Sequence, residues 1–130
     1  MKRILLDTNF YVAFKKGEKS AIDAVRRATE IAVSTIVLGE LLAGFRCGKR
    51  MMENYRELEQ FLDSPRVATL PIDEETAEFY ARIFQELREK GKQVPTNDLW
   101  IAATTLQHGY VLATYDFHFR NISGIITADL

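Results

Sequence analysis

Arg3-Ile4-Leu5-Leu6-Asp7-Thr8-Asn9 is the stretch on which the reading of this chain turns. Three branched aliphatic residues run without a polar break into a carboxylate. A short continuous apolar run suits a strand buried on both faces, as in a parallel sheet covered by helices. Asp7 then falls where the strand ends, ahead of two small polar residues that can open a turn. In open parallel sheets, ligand sites gather beyond the carboxyl ends of the strands, which puts Asp7 in a position suited to chemistry. The plainer reading is that Asp7 caps a helix starting near Phe10. Taken alone, the stretch leaves both readings open.

The chain's 130 residues fit a single domain, expected to span 1–130, with a core of ordinary size. Hydrophobic residues at 47% and charged residues at 27% give a globular composition and exclude a disordered one. Met1-Lys2-Arg3 leads into only three aliphatics before Asp7, unlike a signal peptide. No apolar run approaches the roughly 20 residues of a membrane helix. The expectation is a soluble, cytoplasmic protein. A single cysteine, Cys47, excludes an internal disulfide and a Cys-based zinc site, and is read as inert. The net charge of −1, from 17 basic and 18 acidic residues, lacks the basic excess usual in nucleic-acid binding. If four acids gather round a metal, however, the remaining charges leave an excess of three positive ones.

Beyond Asp7 the pattern alternates. Phe10 to Phe14 reads as a helix stopped at Lys15-Lys16-Gly17, and Ser20 as the cap of a second with Ile22 and Val25 inward. Ile31-Ala32-Val33-Ser34 predicts a second strand, with Thr35 capping the helix after it. That helix, Ile36 to about Phe45, is apolar or small all round, so burial is expected. Its one internal charge is Glu40, and an unpaired buried carboxylate is costly unless it neutralises or meets a cation such as Arg46. Lys49 to Asp63 predicts a fourth helix, with Met51, Met52 and Tyr55 as packing residues. Val67 to Leu70 predicts a third strand. A fifth helix from Asp73 carries Ala77, Tyr80, Ala81, Phe84 and Leu87 inward and ends at Gly91. A sixth opens near Asp98, where the helix dipole alone would favour a carboxylate, and ends at Gly109. Tyr110 to Thr114 predicts a fourth strand with Asp116 just past it, and Ile125-Ile126 a short fifth. The alternation indicates one α/β domain with a mainly parallel sheet.

Four acids thus have related addresses. Asp7 and Asp116 follow strands, Glu40 lies early in the helix after the second strand, and Asp98 opens a helix. In a parallel α/β layer, helices start on the edge where strands finish, so all four can converge on one rim. Four close carboxylates need a counterion, and oxygen donors of this kind suit Mg²⁺ or Mn²⁺. Such a site can activate water and stabilise charge on a phosphoryl group. Thr8, Asn9 and Thr114 add neutral groups able to orient that water or a phosphate oxygen.

Leu6-Asp7-Thr8-Asn9, the Glu40 helix, Thr96-Asn97-Asp98-Leu99-Trp100-Ile101-Ala102-Ala103 and Leu112-Ala113-Thr114-Tyr115-Asp116-Phe117-His118-Phe119 together resemble the motifs of PIN-domain nucleases. Among these, the chain is similar to the VapC-type toxins of prokaryotic toxin–antitoxin pairs over essentially its whole length. The resemblance implies a parallel sheet of order 3-2-1-4-5 and a Mg²⁺-dependent endoribonuclease, with Mn²⁺ as a substitute. It also implies RNA as substrate, a VapB-type antitoxin as partner, and Asp7, Glu40, Asp98 and Asp116 as catalytic and metal-holding acids. Tyr115 departs from the basic or small residue often found before the last acid.

Other classes fit less well. A haloacid-dehalogenase-type phosphohydrolase needs a second Asp where this chain has Asn9. A response-regulator receiver would show an acidic pair at the first strand and a lysine after the last. A PIN domain serving only as a protein-binding module need not keep all four acids. His118 is read as a structural partner in an aromatic segment, His108 as a surface residue, and Trp100 as core. The apolar excess on the third helix, with Phe10, Tyr11 and Phe14 on the first, is expected to serve a homodimer and an antitoxin segment.

Overall fold

The computed structural model describes residues 2–130. At its centre is β1 (Lys2–Leu6), whose Ile4, Leu5 and Leu6 are all buried, as the unbroken apolar run requires. Asp7 begins α1 (Thr8–Lys15), and α2 (Lys19–Arg27) leads into β2 (Ala28–Ser34). Then follow α3 (Thr35–Arg46), α4 (Met51–Leu62) and β3 (Val67–Leu70). The chain continues through α5 (Glu74–Lys90), α6 (Thr96–His108) and β4 (Val111–Ala113). A 3₁₀ segment over Phe117–Asn121 follows β4.

All strand pairs are parallel and the order is β3-β2-β1-β4. Leu5 pairs with Ala32 on one side and with Leu112 on the other, and all three are fully buried. The carboxyl ends of β1 and β4 therefore lie side by side. The expected fifth strand is absent among the described residues. Leu112 makes a single parallel bridge to Thr127, with Leu112 N–H donating to Ile126 O at 2.8 Å. β4 has only three residues, so the last segment finds one rung of ladder and no second.

Several local expectations are corrected. Ser34, not Thr35, caps α3, its hydroxyl accepting from Val37 N–H at 3.2 Å. Ser20 lies inside α2, whose N-cap is Glu18, and its hydroxyl meets that of Tyr115 at 2.7 Å. Helix α3 is not buried all round. Val37 and Leu41 are buried, whereas Gly39, Ala43 and Gly44 face solvent, because α3 has neighbours on one side only. Met51 and Met52 are exposed rather than packed, Met52 at 71%.

Helix α5 is rotated from the expected face. Leu87 is buried as expected, but Thr76 and Ile83 are buried in place of Ala77, Ala81 and Phe84, which are exposed. The capping box at its start explains the setting. Asp73 Oδ1 accepts from Thr76 N–H at 3.0 Å, and Thr76 Oγ1 accepts from Asp73 N–H at 3.0 Å. Gln107 of α6 also donates to Asp73, at 2.9 Å, so a polar contact fixes which side of α5 meets α6. Tyr80 stacks on Trp100 with ring centroids 4.1 Å apart, but Trp100, expected in the core, is only half-buried.

Candidate active site

Asp7 caps α1 and also lies at the cleft, so the two placements that the sequence left open are compatible. Its Oδ1 accepts the Phe10 N–H at 2.8 Å, capping α1 and satisfying one of the donors orphaned at a helix start. Its Oδ2 accepts from the Thr114 hydroxyl at the end of β4. The residue is 3% exposed yet lines an open cleft of about 480 Å³. That cleft sits at the carboxyl edge of the sheet and is walled by Asp7, Thr8, Asn9, Glu40, Pro95, Thr96, Asn97, Asp98 and Asp116. The four expected acids thus reach one space from four separate segments.

Each arrives by a different local device. Glu40 projects from α3, with Oε1 accepting from the Thr8 hydroxyl and Oε2 from Asn97 Nδ2 at 3.2 Å. The Arg46 partner weighed for it does not form. Asp98 occupies the first turn of α6, but the N-cap there is Pro95 and no side chain caps the helix. Asp116 is held through its backbone, its N–H donating to Thr114 Oγ1 at 3.0 Å. Thr114 therefore stands behind the cleft, tying Asp7 to Asp116. Thr8 and Asn9 line the cleft itself, Thr8 occupied with Glu40 and Asn9 exposed.

The electrostatics follow from crowding. Burial pushes the Asp7 carboxyl up to about 6; the Thr114 and Phe10 hydrogen bonds oppose this, and the charges of Asp116 and Asp98 add to it. Burial also raises Asp98, helped by the charges of Glu40 and Asp116 and opposed by His118. Carboxylates held reluctantly charged in one cleft suit a cation.

His118 was not expected in this cluster. Its Nε2 approaches Asp98 Oδ2 at 2.9 Å, and one donor atom each from Asp98, Asp116 and His118 lies within 4.8 Å of the others. That Nε2 is buried but not aligned for a hydrogen bond, an orphaned donor beside two carboxylates. This set fits a divalent metal. The signal in the sequence was the pair Asp116 and His118, two residues apart where the chain enters the 3₁₀ segment. Asn97 was also passed over, although it adjoins Asp98 and braces Glu40.

Residues 4–125 match the PIN domain family. Ribonuclease VapC4 of Mycobacterium tuberculosis is 34% identical over 117 residues, covering 89% of this chain and 88% of its own. Ribonuclease VapC5 of the same organism is 27% identical over 126 residues, covering 97% and 92%. Among solved structures, DNA-bound VapBC from Salmonella typhimurium superposes with a TM-score of 0.87 at 28% identity, covering 99% of this chain and 98% of that one.

Proposed function

The chain belongs to the PIN-domain family, and we propose on that premise that it is a metal-dependent endoribonuclease toxin restrained by a VapB-type antitoxin. One observation carries the reading: Asp7, Glu40, Asp98 and Asp116 line a single cleft at the carboxyl edge of a parallel sheet.

Asp7, Glu40, Asp98 and Asp116 would hold Mg²⁺, with Mn²⁺ as substitute. When bound, the ion polarises a water and offsets charge growing on a phosphoryl oxygen. The chain's own groups supply position. Asp7 is locked by Phe10 and Thr114, and Glu40 by Thr8 and Asn97, so neither carboxylate has to be ordered at the moment of reaction. Asn9, exposed on the cleft wall, is free to meet a phosphate oxygen, while Thr8 and Thr114 set the acids around it. The openness of the cleft admits a flexible RNA strand, which can be splayed and bent to present one phosphate.

Partners follow from the exposed apolar surface. Phe10 and Tyr11, expected on the partner surface, are buried in the core, so part of α3 with neighbouring α4 and its exposed Met52 would instead take an antitoxin segment in the helix-in-groove manner, and a further part would pair two copies of the chain. The VapBC structural neighbour supports the antitoxin half of this reading.

The deciding experiment incubates purified chain with end-labelled single-stranded RNA, with Mg²⁺ or with EDTA. Cleavage lost in EDTA, restored by Mg²⁺, and absent in Asp7→Asn supports the assignment. Cleavage that persists in EDTA sinks the metal mechanism, and no cleavage of any RNA under any condition sinks the enzyme.

A further inference from the structure

The acids of the cleft divide into two kinds. Both oxygens of Asp7 and both of Glu40 already accept hydrogen bonds from Phe10, Thr114, Thr8 and Asn97. Among the described residues, the side-chain oxygens of Asp98 and Asp116 accept no aligned hydrogen bond, and His118 Nε2 makes none either. Three uncommitted donors, two oxygens and one nitrogen, therefore gather within 4.8 Å.

We propose that His118 is a direct nitrogen ligand in this cleft, making the site a mixed oxygen–nitrogen one that selects Mn²⁺ over Mg²⁺. This rests on the metal-dependent reading above and departs from its all-carboxylate donor set. The 2.9 Å between His118 Nε2 and Asp98 Oδ2 is the separation of two neighbouring ligands on one ion, since bonds near 2.1 Å at right angles put donors about 3 Å apart. Metal ligation uses the neutral imidazole, whose Nε2 is here buried beside Asp98 and Asp116. The ring lies tilted against fully buried Phe119, with 4.7 Å between centroids. Imidazole nitrogen suits transition-metal ions, whereas Mg²⁺ favours oxygen and keeps its waters.

The test uses the full chain, stripped of metal, and needs no RNA. Pulsed electron paramagnetic resonance of added Mn²⁺ reports a nitrogen nucleus bonded to the ion. The expected result is ¹⁴N coupling in the wild type and in His108→Gln, the control at the chain's other histidine, and none in His118→Gln. Calorimetric titration should show His118→Gln losing about tenfold in Mn²⁺ affinity while its Mg²⁺ affinity changes much less. Bound Mn²⁺ without nitrogen coupling in the wild type overturns the proposal and leaves the carboxylate site intact. So does a His118→Gln variant with an unchanged ratio of the two affinities. Should that variant fail to fold, the wild-type spectrum decides alone. No bound Mn²⁺ at all overturns the metal-dependent reading itself, and absent RNA cleavage with nitrogen coupling present would overturn the nuclease and not this ligand.

Discussion

The Thr114 hydroxyl donates to Asp7 Oδ2 across the ends of two neighbouring strands, β4 and β1. Thr114 Oγ1 in turn accepts the Asp116 N–H at 3.0 Å. One buried hydroxyl therefore sets the distance between the first and last acids. Thr114→Val should leave Asp7 Oδ2 and the Asp116 N–H without a partner, destabilising the fold by about 1–3 kcal/mol and lowering RNA cleavage. Thr114→Ser should keep most of both. Urea unfolding beside a cleavage assay checks this, and equal behaviour of the two variants would reject it.

Neutralising single acids should show the cleft acting as a unit. Asp7→Asn, Glu40→Gln, Asp98→Asn and Asp116→Asn should each reduce cleavage at least about a hundredfold, because each removes charge from the metal site. Initial rates with labelled RNA measure it. A variant within about tenfold of wild type would remove that acid from the machinery.

Stability in EDTA should depend on pH through Asp7. Its folded value of about 6 lies above the ordinary 3.8, so the folded state binds more protons than the unfolded one between those values. The contribution is complete below about 3.8 and is lost as pH rises through about 6. The stability difference, wild type minus Asp7→Asn, should fall across that window by on the order of 3 kcal/mol. The lost cap and Thr114 contact shift the curve without adding slope, so slope is the readout. A difference that is flat with pH contradicts the assignment.

Adding metal should reverse the crowding. A divalent ion at a hundredfold excess over its dissociation constant should add about 2.7 kcal/mol by binding only the folded form. Asp98 is raised by burial and by its acidic neighbours. Asp98→Asn should therefore melt higher than wild type in EDTA yet gain less from added Mn²⁺. Thermal melts in both conditions test this, and the reverse pattern would reduce Asp98 to a helix-start residue.

The apolar surface of α3 and α4 should matter to partners rather than to folding. Met52 of α4 is 71% exposed and makes the cleanest probe, with half-buried Leu42 of α3 as a second. Met52→Asp with Leu42→Asp should weaken antitoxin capture at least about tenfold while circular dichroism stays native. Light scattering on the free chain at micromolar concentration checks the homodimer. Undiminished antitoxin binding, or a monodisperse monomer, removes the corresponding partner.

The sequence by itself determined the sheet's centre and that four acids could meet at its edge, where they line one cleft. Ile4-Leu5-Leu6 suits a strand covered on both sides, all three are buried, and the carboxylate that follows sits at the strand's end. Glycines at 91 and 109, both at positive φ, marked where α5 and α6 stop. These are local properties, carried by neighbours in the chain.

What only the tertiary structure decided depends on partners distant in sequence. Helix α5 has two overlapping stripes that share Leu87, and the choice between Ala77-Ala81-Phe84 and Thr76-Ile83 was made by Gln107 and Asp73, 34 residues apart. The outer side of α3 reads as core because nothing local tells an apolar face covered by this chain from one left open. Ile125-Ile126 had the composition of a strand, but β4 was too short to pair with it more than once. His118 joined Asp98 only because a 3₁₀ turn and α6 meet at the sheet edge, 20 residues apart along the chain. Periodicity shows which residues share a face of one element; it does not show which faces of two elements meet.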